Sequence, residues 1–406
     1  VKSKFLAHSG LNSNFRHLYA DIFWWGVLAG SALSFLAVYA TRIGATSFQV
    51  GLLTAGPAVV NLILSLLAGR WLEQRSLIRA VSYSSIAHRA GYIPMIFLPW
   101  LLSASGQVIS LELIVLVMSV PGTLLAISFN ALFAQIVLSE RRGQVVGWRN
   151  ALASVSTIVS SLLCGRLLDW IAFPLNYQIV FFIGALGGAL SCYHLSRLRF
   201  IGTSPPPAVR SLSDRAQPNK SLLRFDLLRG PFGSLMGVYL LFYTFQQLPV
   251  PLFPLAFVRV LHLSDGAISL GTALFHVSVL LGSMRLGWMS KRLGHRRLLI
   301  LGALLYCSYP LLMGLAQNAT PFWIASVIGG IAWGLTGAGL LNRLMERTPQ
   351  DDLPAHMTLH NIVLNLGVLG GSMLGPVLAE GLGLRPALLL GAGLRLLSGI
   401  LFILWG

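Results

Sequence analysis

Apolar runs long enough to cross a bilayer, separated only by short polar joints, follow one another through almost the whole 406-residue chain. They fall at about 21–41, 48–70, 78–102, 109–138, 145–170, 177–199, 232–261, 265–289, 297–316, 321–345, 355–382 and 385–405, twelve in all. A helix crossing the hydrocarbon needs about 20 predominantly apolar residues, whereas a membrane-barrel strand alternates apolar and polar residues over about ten. A stretch such as 298–305 is apolar on every side and reads as helix. The predicted fold class is therefore an all-α polytopic membrane protein with twelve transmembrane helices. Composition agrees: with 55% hydrophobic residues, 10% charged residues and a mean hydropathy of +0.75, there is too little polar surface to coat a water-soluble globule of this size.

The chain is also built twice. Ser47 to Gly69 and the basic turn after it recur as Ser264 to Gly287 and its basic turn, and one common offset carries Asn150 onto Asn361, Ser161 onto Ser372 and Asp169 onto Glu380. This predicts two six-helix halves, 1–200 and 231–406, joined by a segment at 201–230. The joining segment opens with Ser and Pro at 202–219, as an irregular linker would. It closes on Leu222 to Arg229, whose apolar spacing suits either a short helix lying on the membrane surface or a frayed start to the seventh span.

The net charge of +17 is topological. Arg42, Arg166, Arg259 and Arg385 fall in the joints of one side and Arg89, Arg285 and Arg395 inside spans, while all other Lys and Arg fall in the leader, the linker and the joints of the opposite side. That asymmetry is the positive-inside signal. It sets both termini in the cytoplasm, points to a bacterial inner membrane, and leaves no role for nucleic acid. The polar first 20 residues do not read as a secretory signal, so the first span is expected to stay uncleaved. Cys164, Cys192 and Cys307 lie inside spans without metal-ligand spacing and are expected as buried thiols.

Given two similar six-helix halves, the joint after the eighth span becomes specific. Gly287-Trp288-Met289-Ser290-Lys291-Arg292-Leu293-Gly294-His295-Arg296-Arg297 resembles the G-x-x-x-D-R-x-G-R-R loop of the major facilitator superfamily, with Lys291 in the acid's place. The first-half copy keeps Gly69 and the acid, Glu73, but has Gln74 and Ser76 where Arg and Gly belong. Arg141 to Asn150 resembles the family's basic turn before the fifth helix. The antiporter-type G-x-x-x-G-P string is missing from the fifth span and stands instead at Gly371 to Pro376 in the eleventh. The resemblance covers the whole chain without choosing a subfamily. It implies a monomeric secondary transporter that works by alternating access, in which Gly69, Glu73, Gly287, Lys291, Arg292, Gly294 and Arg296 belong to gating loops; a plain inside-positive turn is the other reading. Gly69 and Gly287 are expected to let helices approach closely.

The resemblance places the solute cavity among spans 1, 4, 7 and 10 with parts of 2, 5, 8 and 11. In span 7, Tyr239, Tyr243, Gln246 and Gln247 share a helical face before Pro249, Pro251 and Pro254. Amides unpaired in hydrocarbon cost several kcal/mol, so this face is expected to line the cavity, as are Asn61, Asn130, Trp333, Asn361 and Asn365. Asn150, Ser154, Thr157 and Ser161 read instead as glue between helices. For energy coupling the candidates are Asp21, Arg89 and His276, the last because imidazole changes charge near neutral pH. Asp21 also fits a helix N-terminal residue favoured by the dipole, while Arg89 and Arg395, costly in mid-membrane, are expected to turn inward to carbonyls or a partner. No Ser-His-Asp, HExxH or Walker A spacing is present, so neither an enzyme nor an ATP-driven pump is predicted, and no cofactor or metal.

Three functions follow in order. Export of a small neutral or amphipathic organic solute comes first, uptake of a sugar-like solute second, and a lipid flippase or a non-transport protein on the same fold third. If the loop after Gly287 gates, Lys291→Asp, which restores the acid, is expected to change the transport rate while membrane insertion, read by fractionation, stays intact. Unchanged kinetics would remove the gating assignment.

Overall fold

The computed structural model describes residues 2–73, 76–200, 224–348 and 353–405. Among them the regular structure is helical, with no strand. In chain order the helices are α1 (Lys2–Leu28), which passes through a π turn at Ala29–Leu33 into α2 (Ser34–Arg42), then α3 (Ser47–Glu73), α4 (Leu77–Ala90), α5 (Tyr92–Leu101), α6 (Ala104–Ile136), α7 (Ser139–Trp170) and α8 (Leu175–Ser196). After Phe225–Arg229, a 3₁₀ turn, come α9 (Pro231–Gln247), α10 (Leu252–Leu255), a second π turn at Ala256–Val260, α11 (Asp265–Leu305), α12 (Ser308–Leu315), α13 (Ala319–Glu346), α14 (Leu353–Leu382) and α15 (Leu384–Trp405).

Local chemistry explains where the helices start and break. Thr46 and Gln49 cap α3 reciprocally, the Thr46 N–H donating to Gln49 Oε1 at 2.9 Å and the Gln49 N–H to Thr46 Oγ1 at 3.2 Å. Ser103, Ser264 and Asn318 accept from backbone N–H groups at the starts of α6, α11 and α13. Span 7 ends as its prolines predict: α9 stops at Gln247, and Pro251 precedes the single turn of α10. One joint differs from expectation: the stretch expected at 78–102 is two helices, α4 and α5, meeting at Gly91. The spans expected at 265–289 and 297–316 are two helices within α11, separated by a kink at Gly294, whose φ of 75° is non-helical.

Ten stretches among the described residues are long and apolar enough to cross a membrane. They make the chain an integral membrane protein. The linker at 202–219 lies outside the described residues, as does Leu222-Leu223 of the short segment that follows. What is described of that segment, Phe225–Arg229, is a 3₁₀ turn separated from α9 by the extended Gly230, so it is not a frayed start to that helix.

Contacts divide the chain into two compact units, Val1–Phe35 with Ile63–Lys220, and Leu36–Leu62 with Ser221–Gly406. In the first, α1 packs on α7 and α8, and α4 on α6 and α8. The α1–α7 crossing depends on missing side chains. A Cβ on Gly26 or Gly30 would collide with Ser156 or Ser160 and with the carbonyls of Ala153 or Thr157. Thr157 Oγ1 donates to the Gly26 carbonyl at 3.2 Å, and Ser154 and Ser161 are buried while Asn150 is exposed. Thr157 of the expected glue stripe therefore does join helices.

In the second unit α9 packs on α14 and α15, and α11 on α13. Here the close approach is carried by α14: a Cβ on Gly371 or Gly375 would strike the carbonyls of Thr244 or Leu248. The offset that carries Asn150 onto Asn361 also carries Ser156 and Ser160 onto Gly367 and Gly371. The same helical positions thus serve both crossings with small residues, Ser in one and Gly in the other. This unit also contains the α2–α3 turn, where Arg42 donates to Asp265 at 3.0 and 3.1 Å and to the Leu263 carbonyl at 3.0 Å. Overpacking a close crossing costs about 1–3 kcal/mol, so Gly371→Leu is expected to lower the melting temperature in detergent by about 5 °C. Gly282→Leu, where nothing lies within 4 Å of the added Cβ, is expected to leave it unchanged.

Candidate functional site

Buried charge in the first unit converges on Asp21. Because α1 begins at Lys2, Asp21 lies deep inside a helix and inside the apolar stretch Ser13–Arg42. This overturns the alternative that it is an N-terminal residue held by the helix dipole, whose effect fades within the first turn. Its carboxylate, 3% exposed, accepts from Arg149 Nη1 and Nη2 at 3.3 and 3.2 Å and from the Ser191 hydroxyl, with Arg89 Nη2 at 3.7 Å. Arg149 also donates to the Leu18 carbonyl at 2.7 Å and lies over the Phe129 ring. Arg89 reaches Cys192 Sγ at 3.7 Å. One carboxylate therefore serves two guanidiniums in a place where an unpaired charge would cost several kcal/mol.

Arg149 was not among the sequence candidates, since the sequence places it in a basic turn. It lies within the span expected at 145–170, and α7, which starts at Ser139, includes it. On the same unit His17 and His194 face each other with Nδ1 atoms 3.0 Å apart, and His88 Nδ1 lies 2.9 Å from the Met118 carbonyl oxygen beside the Gly91 break.

The second unit holds a neutral polar group. Tyr239, fully buried, donates its hydroxyl to the Leu340 carbonyl at 3.0 Å. Tyr243 Oη lies 2.8 Å from His360 Nε2, and Gln246 Nε2 donates to Tyr306 Oη at 3.3 Å. Gln247 is half-buried, its Cβ against Gly371. Asn365 donates to the Asn361 carbonyl at 2.8 Å. Arg395 turns inward as expected, donating to the carbonyls of Tyr306 (3.1 Å) and Gln246 and lying over the rings of Tyr306 and Phe253. The structure thus brings Tyr239, Tyr243 and Gln246 together with His360, Tyr306 and Arg395. His360 and Tyr306 were missed by sequence reasoning, although a histidine next to Asn361 within an apolar span is the kind of signal that marks such a residue.

Other candidates stand apart from these groups. Asn61 is half-buried on α3 and Asn130 exposed on α6, while Trp333 is 53% exposed on α13. His276 is half-buried on α11, its ring edge-on to Phe275. Of the gating residues, Gly69 and Glu73 close α3, but side chains at 66–75 lie outside the described residues. A Cβ added at Gly287 would meet nothing within 4 Å, so this glycine is not a point of close helix approach, contrary to expectation. Lys291 and Arg292 are exposed, Arg292 over the Trp288 ring at 4.7 Å, and Arg296 donates to the Ile403 carbonyl at 2.9 Å.

The described structure is thus an all-helical membrane protein whose spans bury an ion cluster in one unit and a phenol–amide group in the other. Comparison with known proteins makes this specific. Residues 235–406 match the model of the Major Facilitator Superfamily. Over 390 residues, 91% of this chain and 91% of the relative, the chain is 26% identical to a Deinococcus radiodurans protein named "Putative sugar efflux transporter". Over 174 residues, 43% of this chain and 41% of the relative, it is 23% identical to "Multidrug resistance protein 2" of Bacillus subtilis (strain 168). The structure of nucleoside transporter NupG superposes with a TM-score of 0.69 at 14% identity, covering 97% of this chain and 98% of that one. A POT family transporter in complex with 5-aminolevulinic acid gives 0.70 at 13% identity, covering 98% and 96%. At those identities the structural likeness is one of fold. Residues 235–406 thus resemble the major facilitator superfamily, and the chain as a whole shares its fold with membrane transporters of solved structure.

Asp21 is shared, and that sets an order of stabilities. Asp21→Asn strands two buried guanidiniums and is expected to cost about 3–5 kcal/mol, whereas Arg149→Gln leaves the carboxylate with Arg89 and Ser191 and should cost less. Thermal unfolding of both variants in one detergent checks this; a larger loss for Arg149→Gln would show that the carboxylate is not the centre of the cluster.

Proposed function

We propose that the protein is a secondary transporter that exports a small neutral or amphipathic organic solute by alternating access. The observation that carries this reading is the contrast between the two polar groups. Asp21, Arg149 and Arg395 direct their hydrogen bonds to one another, to Ser191 or to carbonyls, and Arg89 lies between Asp21 and Cys192 Sγ, while the polar groups on α9 and α14 are phenols, amides and an imidazole that bond among themselves. Such groups orient hydroxyl-bearing or ring-bearing solutes without demanding a charge. Export is favoured further by the relatives, one named a sugar efflux transporter along 91% of its length and one a multidrug resistance protein. A sugar-like solute is the second reading, supported by the first of those names.

In this reading the chain has twelve spans in two halves, 1–200 and 231–406: α4 with α5 counts as one broken span, and the stretch Asp265–Leu315 as two. The substrate contacts are Tyr243, Gln246, Gln247, Asn361 and Asn365, with Asn61, Asn130, Tyr239 and Trp333 as further lining. Asp21, with Arg89, is the coupling site, since a proton taken by its carboxylate would release two guanidiniums at once, and His276 is the alternative. The termini lie in the cytoplasm of a bacterial cell, and the working form is the monomer.

Proteoliposomes loaded with a panel of sugars and amphipathic dyes, assayed with and without a pH gradient, test the proposal. Gradient-dependent movement of a neutral compound is expected, with Gln246→Ala raising KM severalfold, and Asp21→Asn removing the response to the gradient while exchange across the membrane persists. If no compound moves while labelled lipid scrambles, the solute-carrier reading fails.

A further inference from the structure

The kink at Gly294 opens a cavity of about 580 Å³ at the basic end of the second unit. Its polar wall is Arg296, Arg297, Arg343 and His295, with Glu346 as the acid on its lining. Glu346 is already engaged: Arg343 Nη1 lies 3.1 Å and His295 Nε2 3.9 Å from its oxygens. The histidine ring is held in place, Nδ1 being 3.0 Å from Ser290 Oγ and 3.2 Å from Asn342 Nδ2. Arg296 is tied to the rim by its bond to the Ile403 carbonyl, and Arg297 is exposed. Among the described residues the lining thus carries three guanidiniums and one carboxylate. The loop itself does not redress the balance, because Lys291 stands where its family's acid belongs.

The apolar part of the wall is Leu293, Ile300 and Ile403. Beyond Ile403 the end of α15 continues as Leu404 and Trp405, each 60% exposed. A ligand that satisfies both parts carries a phosphoryl group and a hydrocarbon chain. Guanidinium and phosphate match in charge and fork geometry, and basic pockets between span ends are suited to anionic headgroups. A Cβ added at Gly294, which lines the cavity, would meet nothing within 4 Å, so the backbone leaves room there.

We propose that this cavity binds the phosphodiester headgroup of an anionic phospholipid between Arg296, Arg297 and Arg343, with an acyl chain along Ile300 and Ile403. The bound lipid supplies the negative charge that Lys291 denies to the loop, and so ties the α11 kink to the ends of α13 and α15. This site does not depend on the solute proposed above.

Native mass spectrometry of the purified, delipidated protein titrated with phosphatidylglycerol, with phosphatidylcholine, or with inorganic phosphate tests it. The wild type is expected to retain one phosphatidylglycerol in strong preference to phosphatidylcholine. The double change Arg296→Gln with Arg297→Gln is expected to weaken that lipid about 30-fold, from roughly fivefold per guanidinium near a headgroup. Arg141→Gln, a basic control in another joint, should leave binding intact. Should the double variant not fold, the exposed single change Arg297→Gln should still lose about fivefold and Arg296→Lys with Arg297→Lys should retain the lipid. The proposal is overturned by equal retention of the two lipids, by unchanged binding in the Gln variants, by an equal loss in Arg141→Gln, or by displacement of the lipid with millimolar inorganic phosphate, which would assign the site to free phosphate.

Discussion

Hydrocarbon offers no hydrogen bonds, and most of what is particular about this protein follows from that. The backbone must satisfy itself within helices, and helices can then gain from one another only through close packing and the few polar groups they share. The α1–α7 and α9–α14 crossings meet this demand by bringing backbone against backbone, with Gly26 and Gly30 under Ser156 and Ser160 in one unit and Gly371 and Gly375 under Thr244 and Leu248 in the other. Where hydroxyls remain at such a crossing they turn to carbonyls, as Thr157 does to Gly26.

The same constraint disciplines the charges. In a medium where an isolated ion is so costly, Asp21 is held by Arg149 and Ser191 with Arg89 beyond, and Arg395 is enclosed by two carbonyls and two rings. Arg42 and Asp265 pair in the second unit at the start of α11. Such clusters add little to stability alone, since a packed apolar group would cost less to bury.

How much of this was legible before the structure differs by the kind of feature. Helix formation was readable because apolar runs of spanning length have one satisfactory fold in a membrane, and the resemblance to the major facilitator superfamily was readable from the repeated loop at Gly287. The inward turn of Arg395 followed from cost alone. What could not be read was which residues meet. Arg149 reads as one of the charges of an ordinary basic turn, and only the packing of α7 on α1 carries it to Asp21, 128 residues away in sequence. Tyr306 and His360 were overlooked for the same reason: their partners Gln246 and Tyr243 lie on another helix. Gly287, credited with close packing on the strength of a motif, faces open space, because a glycine's use depends on what stands opposite it.

The sequence by itself determined the solvent of this protein and its helical class, since both are written in composition and period along one dimension, and its loop motif carried the family resemblance. The tertiary structure decided the pairings: a buried carboxylate shared by two arginines, a phenol–imidazole–amide group on α9 and α14, and a basic cavity at the Gly294 kink. The physical reason is that burial cost can be read from one residue, whereas its compensation requires a second residue whose position only the packed helices define.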